Sequence, residues 1–153
     1  MIADRSFDVQ RMISFLEKND EAFTRPLSQT LKHQGQTLEE YAAKLCAFGT
    51  VAYELDGDNI SGMVIGYTHN LPKDKSSYIT QVVTDIDHRR RGVCSRLMAE
   101  YFGFCRRQNI SYVWLTTGVD NHSARATYEK CGFVLVEYEN AELVKYIYNL
   151  KNN

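Results

Sequence analysis

The stretch VTDIDHRRRGVCSRLM, residues 83–98, places three consecutive arginines and a glycine between an apolar run and a helical pattern. The residues before it read as a β-strand, and after Gly92 the apolar residues return at helical spacing. A strand that turns into a helix leaves the N–H groups of the first helical turn without intrahelical partners, and the helix dipole adds to their attraction for an anion. Gly92 keeps a Cβ away from a phosphate, and flanking arginines can add charge-assisted hydrogen bonds.

The short stretch alone leaves other interpretations open. Its spacing excludes the two common nucleotide fingerprints, G-x-G-x-x-G and G-x-x-x-x-G-K-S/T. A solvated basic turn at the start of a helix would need no ligand at all. A nucleic-acid site would need a wider basic face and an exposed aromatic motif, which the sequence lacks, and the formal net charge is only −1. We therefore expect neither a nucleic-acid partner nor a membrane partner.

Length and composition predict one domain over residues 1–153. The hydrophobic fraction of 44% and the charged fraction of 24% are typical of globular proteins. The start MIADRSFDVQ lacks the apolar core of a secretory signal, so we expect a cytoplasmic location. No Cys/His cluster has metal-ligand spacing, so no metal site is predicted. Buried thiols rather than disulfides are expected at the four cysteines, which are Cys46, Cys94, Cys105 and Cys131.

Periodicity predicts a mixed α/β layer fold in the order helix, helix, three strands, helix, strand, helix, two strands. The first helix begins behind Ser6 or Asp8, either of which could cap it. The second is TLEEYAAKLCAFG, with Thr37 as its cap and Gly49 at its exit. DGDN predicts a hairpin between TVAYEL and ISGMVIGYTH. The later strand–helix–strand units predict a parallel portion of the sheet.

The arginine stretch resembles motif A of the GNAT superfamily, the acetyl-coenzyme A-dependent N-acetyltransferases. That motif is Gln/Arg-x-x-Gly-x-Gly/Ala after a β-strand; Arg89 and Gly92 match it, and Cys94 departs from Gly/Ala but is still small. The resemblance implies that the preceding strand pairs with the pantetheine arm of the coenzyme at Val82, Val83 and Thr84. It also implies that backbone amides of the loop bind the pyrophosphate, at Arg89, Arg90, Arg91, Gly92, Val93, Cys94 and Ser95.

A second, independent stretch, NHSARATYEKCGF at residues 121–133, resembles motif B of the same family. The motif is Asn-x-x-Ala-x-x-x-Tyr-x-x-x-Gly-Phe, and its positions are occupied by Asn121, Ala124, Tyr128, Gly132 and Phe133. The first three share one face of a helix that Gly132 closes, and the small alanine permits a close approach of a ligand. The resemblance implies cofactor binding by Asn121 and a catalytic role for Tyr128, as the acid that protonates the departing thiolate.

The resemblance covers about residues 50–150 and implies a GNAT-like fold, with a mixed sheet of about six to seven strands flanked by about four helices. It implies direct attack of a primary amine on acetyl-coenzyme A, with strand N–H groups near Val83 stabilising the oxyanion. The expected acceptor is a small molecule, an amino sugar ahead of a protein N-terminus, and a homodimer is left open. Alternatives are a protein or peptide N-acetyltransferase and a non-catalytic acyl-coenzyme A-binding module.

No general base stands where many relatives carry a glutamate. Thr116 occupies one such position, and the strand before the loop reads Ile-Thr-Gln-Val. Asp85, Glu54 and His69 are candidate bases, and each can equally be structural or solvated. The sequence therefore assigns no base, and a water chain or an amine that arrives partly deprotonated would need none.

Overall fold

A computed structural model describes residues 1–23 and 25–151, which form five α-helices and six β-strands. The helices are α1 (Val9–Lys18), α2 (Leu27–His33), α3 (Leu38–Phe48), α4 (Val93–Arg107) and α5 (His122–Lys130). The strands are β1 (Thr50–Asp56), β2 (Asn59–Leu71), β3 (Asp74–Thr84), β4 (Tyr112–Gly118), β5 (Val134–Tyr138) and β6 (Leu143–Asn149).

The strands form one mixed sheet in the order β1-β2-β3-β4-β6-β5. The hairpin predicted from DGDN joins the antiparallel strands β1 and β2. β3 and β4 run parallel, with Ser76–Tyr78 opposite Tyr112–Trp114, as a strand–helix–strand connection requires. β6 lies antiparallel to both β4 and β5. The predicted mixed α/β fold is confirmed.

The ends of the first helices follow the predicted capping chemistry, with one choice resolved. Asp8 caps α1, because its Oδ1 accepts a hydrogen bond from the Gln10 N–H at 2.9 Å. Ser6, the alternative cap, donates instead to Asp4. Thr37 caps α3 as predicted, because its Oγ1 accepts a hydrogen bond from the Glu40 N–H at 3.1 Å.

Two local features differ from the sequence expectation. Helix α2 is absent from the predicted order, because seven residues behind Pro26 are too short to show a helical period. Gly49 ends α3 as predicted, but its φ of −89° is open to any residue. The requirement for glycine is steric there, since a Cβ would lie 2.6 Å from the Leu45 carbonyl oxygen.

The chain divides into two compact units, which are residues 1–66 with 81–101 and residues 67–80 with 102–153. In the first unit, α1 packs on α3 and α3 packs on β1. The largest side chains buried in this unit are those of Met12, Leu16, Leu45, Met63, Ile65, Leu97, Met98 and Tyr101. The single domain expected over residues 1–153 stays a prediction.

An aromatic cluster organises the second unit. Phe102 stacks on Tyr148 with ring centroids 3.8 Å apart, and Phe133 lies 5.6 Å from Phe102. Gly132 follows α5 with φ +99°, and a Cβ there would lie 2.9 Å from the Tyr148 ring. The helix end predicted at Gly132 therefore depends on glycine for both its backbone and its lack of a side chain.

Helix lengths and cysteine states complete the description. Within the part of the chain that the structure describes, no helix is both long and apolar enough to cross a membrane. All four cysteines are thiols, but the expected burial holds only for Cys105, since Cys46, Cys94 and Cys131 are half-buried. Cys105 is buried, and burial raises the pKa of its thiol to about 11.

Candidate active site

The loop that carries the three arginines joins β3 to α4 through residues 85–92. A short 3₁₀ turn at Ile86–His88 opens it, and residues 89–92 are exposed. Gly92 has φ +75°, a backbone conformation that favours glycine, and Arg90 adopts φ 64° without that advantage. The chain turns sharply at these two residues and enters α4 directly. The first turn of α4, where an α-helix generally leaves backbone N–H groups without intrahelical acceptors, thus follows the basic loop at once.

The residues of this loop fit a pyrophosphate. Gly92 is exposed, so no side chain of its own stands between the backbone and an approaching phosphate. The three arginines beside it are exposed as well, and a guanidinium suits phosphate oxygens by charge and geometry. The loop sits at the beginning of a 15-residue helix, where the dipole favours an anion. The predicted cradle, Arg89–Ser95, therefore has the backbone and the charge that the ligand needs.

Arg96 clamps this loop from the first turns of α4. Its Nε and Nη2 donate to the two Glu54 carboxylate oxygens, each at 2.8 Å, and its Nη1 donates to the Arg91 carbonyl at 2.8 Å. Partial burial of Glu54 acts to raise the pKa of its carboxyl, but the hydrogen bonds from Arg96 outweigh this effect and keep that pKa below its usual value. Glu54 is therefore an ion-pair partner of Arg96, which is one of the two outcomes that the sequence left open for it.

Gly62 on β2 lets α4 start close to the sheet. A Cβ on Gly62 would lie 2.6 Å from Val93 Cγ1 and 3.0 Å from Leu97 Cδ1. Real side chains do not approach that closely, so α4 can begin this close to β2 only where the strand carries a glycine. The lack of a side chain on Gly62 thus helps to set the position of the loop that precedes α4.

The end of β3 brings its predicted cofactor residues directly to the loop. Val83 is buried, whereas Val82 and Thr84 are half-buried. The described parallel pairing with β4 covers Ser76–Tyr78, and Val82–Thr84 lie further along β3, beyond that pairing. Contact between Val82–Thr84 and the pantetheine arm stays a prediction.

Asp85, the second candidate base, is a buried ion-pair partner. Its side chain is only 2% exposed. Burial opposes its ionisation, but hydrogen bonds from Asn19, His88 and Lys18 outweigh that effect and lower its pKa to about 2. A carboxylate that binds protons so weakly cannot deprotonate an amine near neutral pH. The third candidate, His69, lies 3.3 Å from the carboxylate of Asp74.

Helix α5 and the residue that caps it contain the two motif B residues for which a site role is predicted, Asn121 and Tyr128. Asn121 caps this helix, since its Oδ1 accepts a hydrogen bond from the Ala124 N–H at 3.2 Å. Tyr128 is half-buried, and its ring lies edge-on to those of Phe133 and Tyr146, at 6.0 and 6.4 Å. The structure thus gives Asn121 a local helix-capping role. Its contact with the coenzyme and the acid role of Tyr128 stay predictions.

Tyr146 holds α5 against β6 and had no signal in the sequence. It is fully buried; its hydroxyl donates to Glu129 Oε1 at 2.7 Å and accepts from Arg125 Nε at 3.1 Å. Arg125 also donates to the Val119 carbonyl at 2.9 Å. In a strand that reads ELVKYIYNL, this tyrosine looks like any other aromatic residue, because its partners lie 17 and 21 positions away.

The loop supports Arg96, Asn19 and Lys18 also escaped sequence reasoning. Arg96 stands four residues after Gly92, so a weak local signal existed for it. Asn19 and Lys18 meet Asp85 across 66 and 67 positions, a separation at which spacing carries no information. Only the fold brings them together.

Solved structures with a similar fold include acetyltransferases that are named for different acceptors. A GNAT-family protein from Desulfovibrio desulfuricans is 12% identical over 98% of both chains, with a TM-score of 0.77. A spermidine N-acetyltransferase chimera from Vibrio cholerae and hSSAT is 16% identical over 99% of this chain and 96% of its own, with a TM-score of 0.74. An aminoglycoside 6'-N-acetyltransferase, solved with coenzyme A, is 12% identical over 98% and 97%, with a TM-score of 0.73. These likenesses concern the fold.

Sequence comparison supplies the family. No curated protein sequence matches the chain significantly. The family model named Acetyltransferase (GNAT) family matches residues 12–133, a segment that includes both motifs. The chain therefore belongs to the GNAT acetyltransferase family, which makes it an acyl-coenzyme A N-acyltransferase with acetyl-coenzyme A as its co-substrate.

Proposed function

We propose that this acetyltransferase acts on the primary amine of a small acceptor, with an amino sugar as the leading candidate. The observation that carries the proposal is the exposed turn at Arg89–Gly92, which leads from β3 straight into the start of α4. Two proteins of the same fold are named for amine acceptors, an aminoglycoside and spermidine. Aminoglycosides are themselves amino sugars, which supports this acceptor class.

In the proposed reaction, backbone N–H groups of Arg89–Ser95 and the neighbouring arginines hold the pyrophosphate. Strand N–H groups near Val83 stabilise the oxyanion that forms when the amine nitrogen attacks the thioester carbon. As the carbon–sulfur bond breaks, Tyr128 donates its phenolic proton to the thiolate. The acceptor ammonium first loses one proton to water, which frees the nitrogen lone pair; after the attack the same nitrogen releases a second proton to water, from which Tyr128 is reprotonated. The products are the N-acetylated amine and coenzyme A, so atoms and charge balance.

The N-terminal helices contain a cavity that suits a cationic acceptor. It has a volume of about 430 Å³ and is lined by four leucines and five polar residues, with Glu17, Asp20 and Lys32 among the polar ones. Asp20 is already engaged by the Ser28 N–H and hydroxyl, each at 2.7 Å. Glu17 is therefore the carboxylate that we expect to attract an ammonium group. Glu17→Gln should raise the KM for the amine several-fold and leave the KM for acetyl-coenzyme A unchanged.

The acid role of Tyr128 is tested by Tyr128→Phe, which removes one hydroxyl and keeps the ring. A panel of amino sugars, polyamines and peptides is first screened for acetylated products by mass spectrometry. With the acceptor so identified, kcat should fall by roughly a hundred- to ten-thousand-fold while acetyl-coenzyme A affinity stays the same. Tyr148→Phe is the matched control, since it removes an aromatic hydroxyl from the same unit. Equal kcat values for the two variants would refute the assignment.

One observation favours a second candidate function, a non-catalytic acyl-coenzyme A-binding module. Glu54 is bound by Arg96, and Asp85 is bound by Lys18 and His88, so neither carboxylate can serve as a base. Release of coenzyme A thiol across the amine panel separates the two functions. Binding of acetyl-coenzyme A with no thiol release for any amine would favour the module.

The proposal also includes the predicted oligomeric state, location and binding partners of the protein. A homodimer, a cytoplasmic location and the lack of nucleic-acid and membrane partners all stay predictions. Light scattering during size-exclusion chromatography measures the first. Salt-dependent binding to DNA or RNA, without affinity for acetyl-coenzyme A, would contradict the proposed function outright.

A further inference from the structure

A buried polar network stands at the beginning of the loop at residues 85–92. The Asp85 carboxylate is its centre: Oδ1 accepts from Asn19 Nδ2 at 3.0 Å, and Oδ2 lies 3.0 Å from Lys18 Nζ and 2.8 Å from His88 Nδ1. The Asp85 N–H donates to the Ser61 carbonyl at 2.8 Å, which anchors the same residue to β2. A buried carboxylate is costly unless it is paired and hydrogen-bonded, and this one is.

The end of α1 fastens three consecutive residues of the loop. Asn19 is 3% exposed; its Nδ2 donates to Asp85, and its Oδ1 accepts from the Ile86 N–H at 3.0 Å. Lys18 Nζ bridges the carboxylates of Asp85 and Asp87, at 3.0 and 2.9 Å. These bonds fix the backbone at residues 85–87, from which the basic turn departs two residues later.

Each ring nitrogen of His88 lies within hydrogen-bond distance of a carboxylate. Its Nδ1 lies 2.8 Å from Asp85 Oδ2 and its Nε2 lies 2.8 Å from Asp56 Oδ2, which belongs to β1. The imidazolium form donates to both, whereas a neutral ring has one proton and turns a lone pair toward the other carboxylate. The remaining charged groups of the network are Lys18 on α1 and Asp87 in the loop itself. Protonation of His88 therefore completes the link between β1 and the loop.

We propose that Asp85, His88 and Asp56 are positioning residues for acetyl-coenzyme A, and that protonated His88 holds the loop in the geometry that binds it. The inference rests on the proposed role of Arg89–Ser95 as the pyrophosphate cradle, because His88 adjoins the first residue of that cradle. None of the three acts on the reacting atoms. Their effect should appear in coenzyme affinity rather than in the chemical step.

The sign of the pH effect follows from the two carboxylates. Hydrogen bonds from the ring to Asp56 and then to Asp85 raise the pKa of His88 above its ordinary value of 6.5. The complete network is therefore present below pH 6.5 and is lost as the pH rises through the raised pKa. We expect the Kd for acetyl-coenzyme A to increase about tenfold across that transition, the loss of one charge-assisted hydrogen bond.

The decisive variant is Asp56→Asn, whose carboxylate is 68% exposed, so the protein should still fold. A side-chain amide can donate to a neutral ring, which removes the penalty for deprotonating His88. Asp58→Asn is the matched control, because Asp58 lies on the same turn and is fully exposed, with Arg11 at 3.8 Å. Calorimetry of acetyl-coenzyme A binding between pH 5.5 and 9 should show a flatter or acid-shifted profile for Asp56→Asn alone.

Steady-state kinetics with the identified amine adds a second measurement. Asp85→Asn should raise the KM for acetyl-coenzyme A about tenfold while kcat and the KM for the amine stay within about twofold. Identical pH profiles of Kd for the wild type, Asp56→Asn and Asp58→Asn would overturn the inference and leave the proposed function intact. Failure of the wild type to bind acetyl-coenzyme A at any pH would overturn the proposed function, and the inference with it.

Discussion

Replacing Gly92 with alanine separates the cradle from an ordinary basic turn. At φ +75° a residue with a Cβ costs about 1–2 kcal/mol relative to glycine. The new Cβ would also lie 3.1 Å from Arg96 Nη1, the atom that donates to the Arg91 carbonyl. The variant must therefore either keep the strained backbone or relax the loop and disturb the Arg96 clamp.

The two responses divide the same free energy between two measurements. If the loop keeps its geometry, the unfolding free energy falls by the whole strain of about 1–2 kcal/mol. The Cβ then stands in the path of the phosphate. A loop that relaxes loses less stability, but it must be returned to the strained form before it can bind. A loop that relaxes should therefore bind acetyl-coenzyme A with a Kd about 5- to 30-fold weaker, for 1–2 kcal/mol. A loop that keeps its geometry should also bind more weakly, but because of the Cβ itself.

Gly35→Ala provides the matched control for this experiment. Gly35 has φ +66°, and among the described residues no atom lies within 4 Å of a Cβ built on it, so an alanine there would carry the same backbone strain far along the chain from the loop. Urea denaturation should show a similar loss of stability for both variants, whereas calorimetry should show weaker acetyl-coenzyme A binding for Gly92→Ala alone. Wild-type affinity in Gly92→Ala would refute the assignment of this loop as the phosphate cradle.

Other predictions concern stability and thiol chemistry. Arg90→Gly should be about 1 kcal/mol more stable to urea than Arg90→Ala, because both remove the side chain and only alanine keeps the strain at φ 64°. Gly132→Ala should cost more than Gly35→Ala, since its Cβ would meet the Tyr148 ring at 2.9 Å as well; equal losses would contradict that contact. Asp85 should contribute about 2 kcal/mol above pH 4 that is lost as the pH falls toward 2, and acid titration of Asp85→Asn should lack this loss. Cys105 should resist a thiol reagent at pH 8 until the protein unfolds, because its thiol is buried with a pKa of about 11.

The sequence predicted the features that depend on neighbouring residues. Periodicity and capping chemistry identified α1, α3, α4 and α5, and the turn residues identified the hairpin and the end of α5. Helix α2 escaped because its seven residues span only two turns. The positive φ of Gly92 was foreseeable, since a strand that turns sharply into a helix favours glycine, but the same conformation at Arg90 was not.

The candidate bases show why the chemistry of a site is harder to predict than its backbone. From sequence, Glu54 and Asp85 are two acids near a presumed catalytic strand, and nothing local tells an available carboxylate from an occupied one. Arg96 reaches Glu54 across 42 positions, and Lys18 reaches Asp85 across 67, so the occupation is set by tertiary structure.

Occupation of both carboxylates changes what the chain must do to accelerate the reaction. An acetyl thioester is already activated, because the thiol it releases is far more acidic than an amine. The protein can then contribute mainly by holding both substrates in place, and well-oriented reactants alone can supply several kcal/mol. The two acids serve that purpose: Glu54 fixes the Arg96 clamp at the end of the loop, and Asp85 fixes its beginning. The residues that sequence reasoning considered as proton acceptors are thus better understood as supports of the loop at residues 85–92.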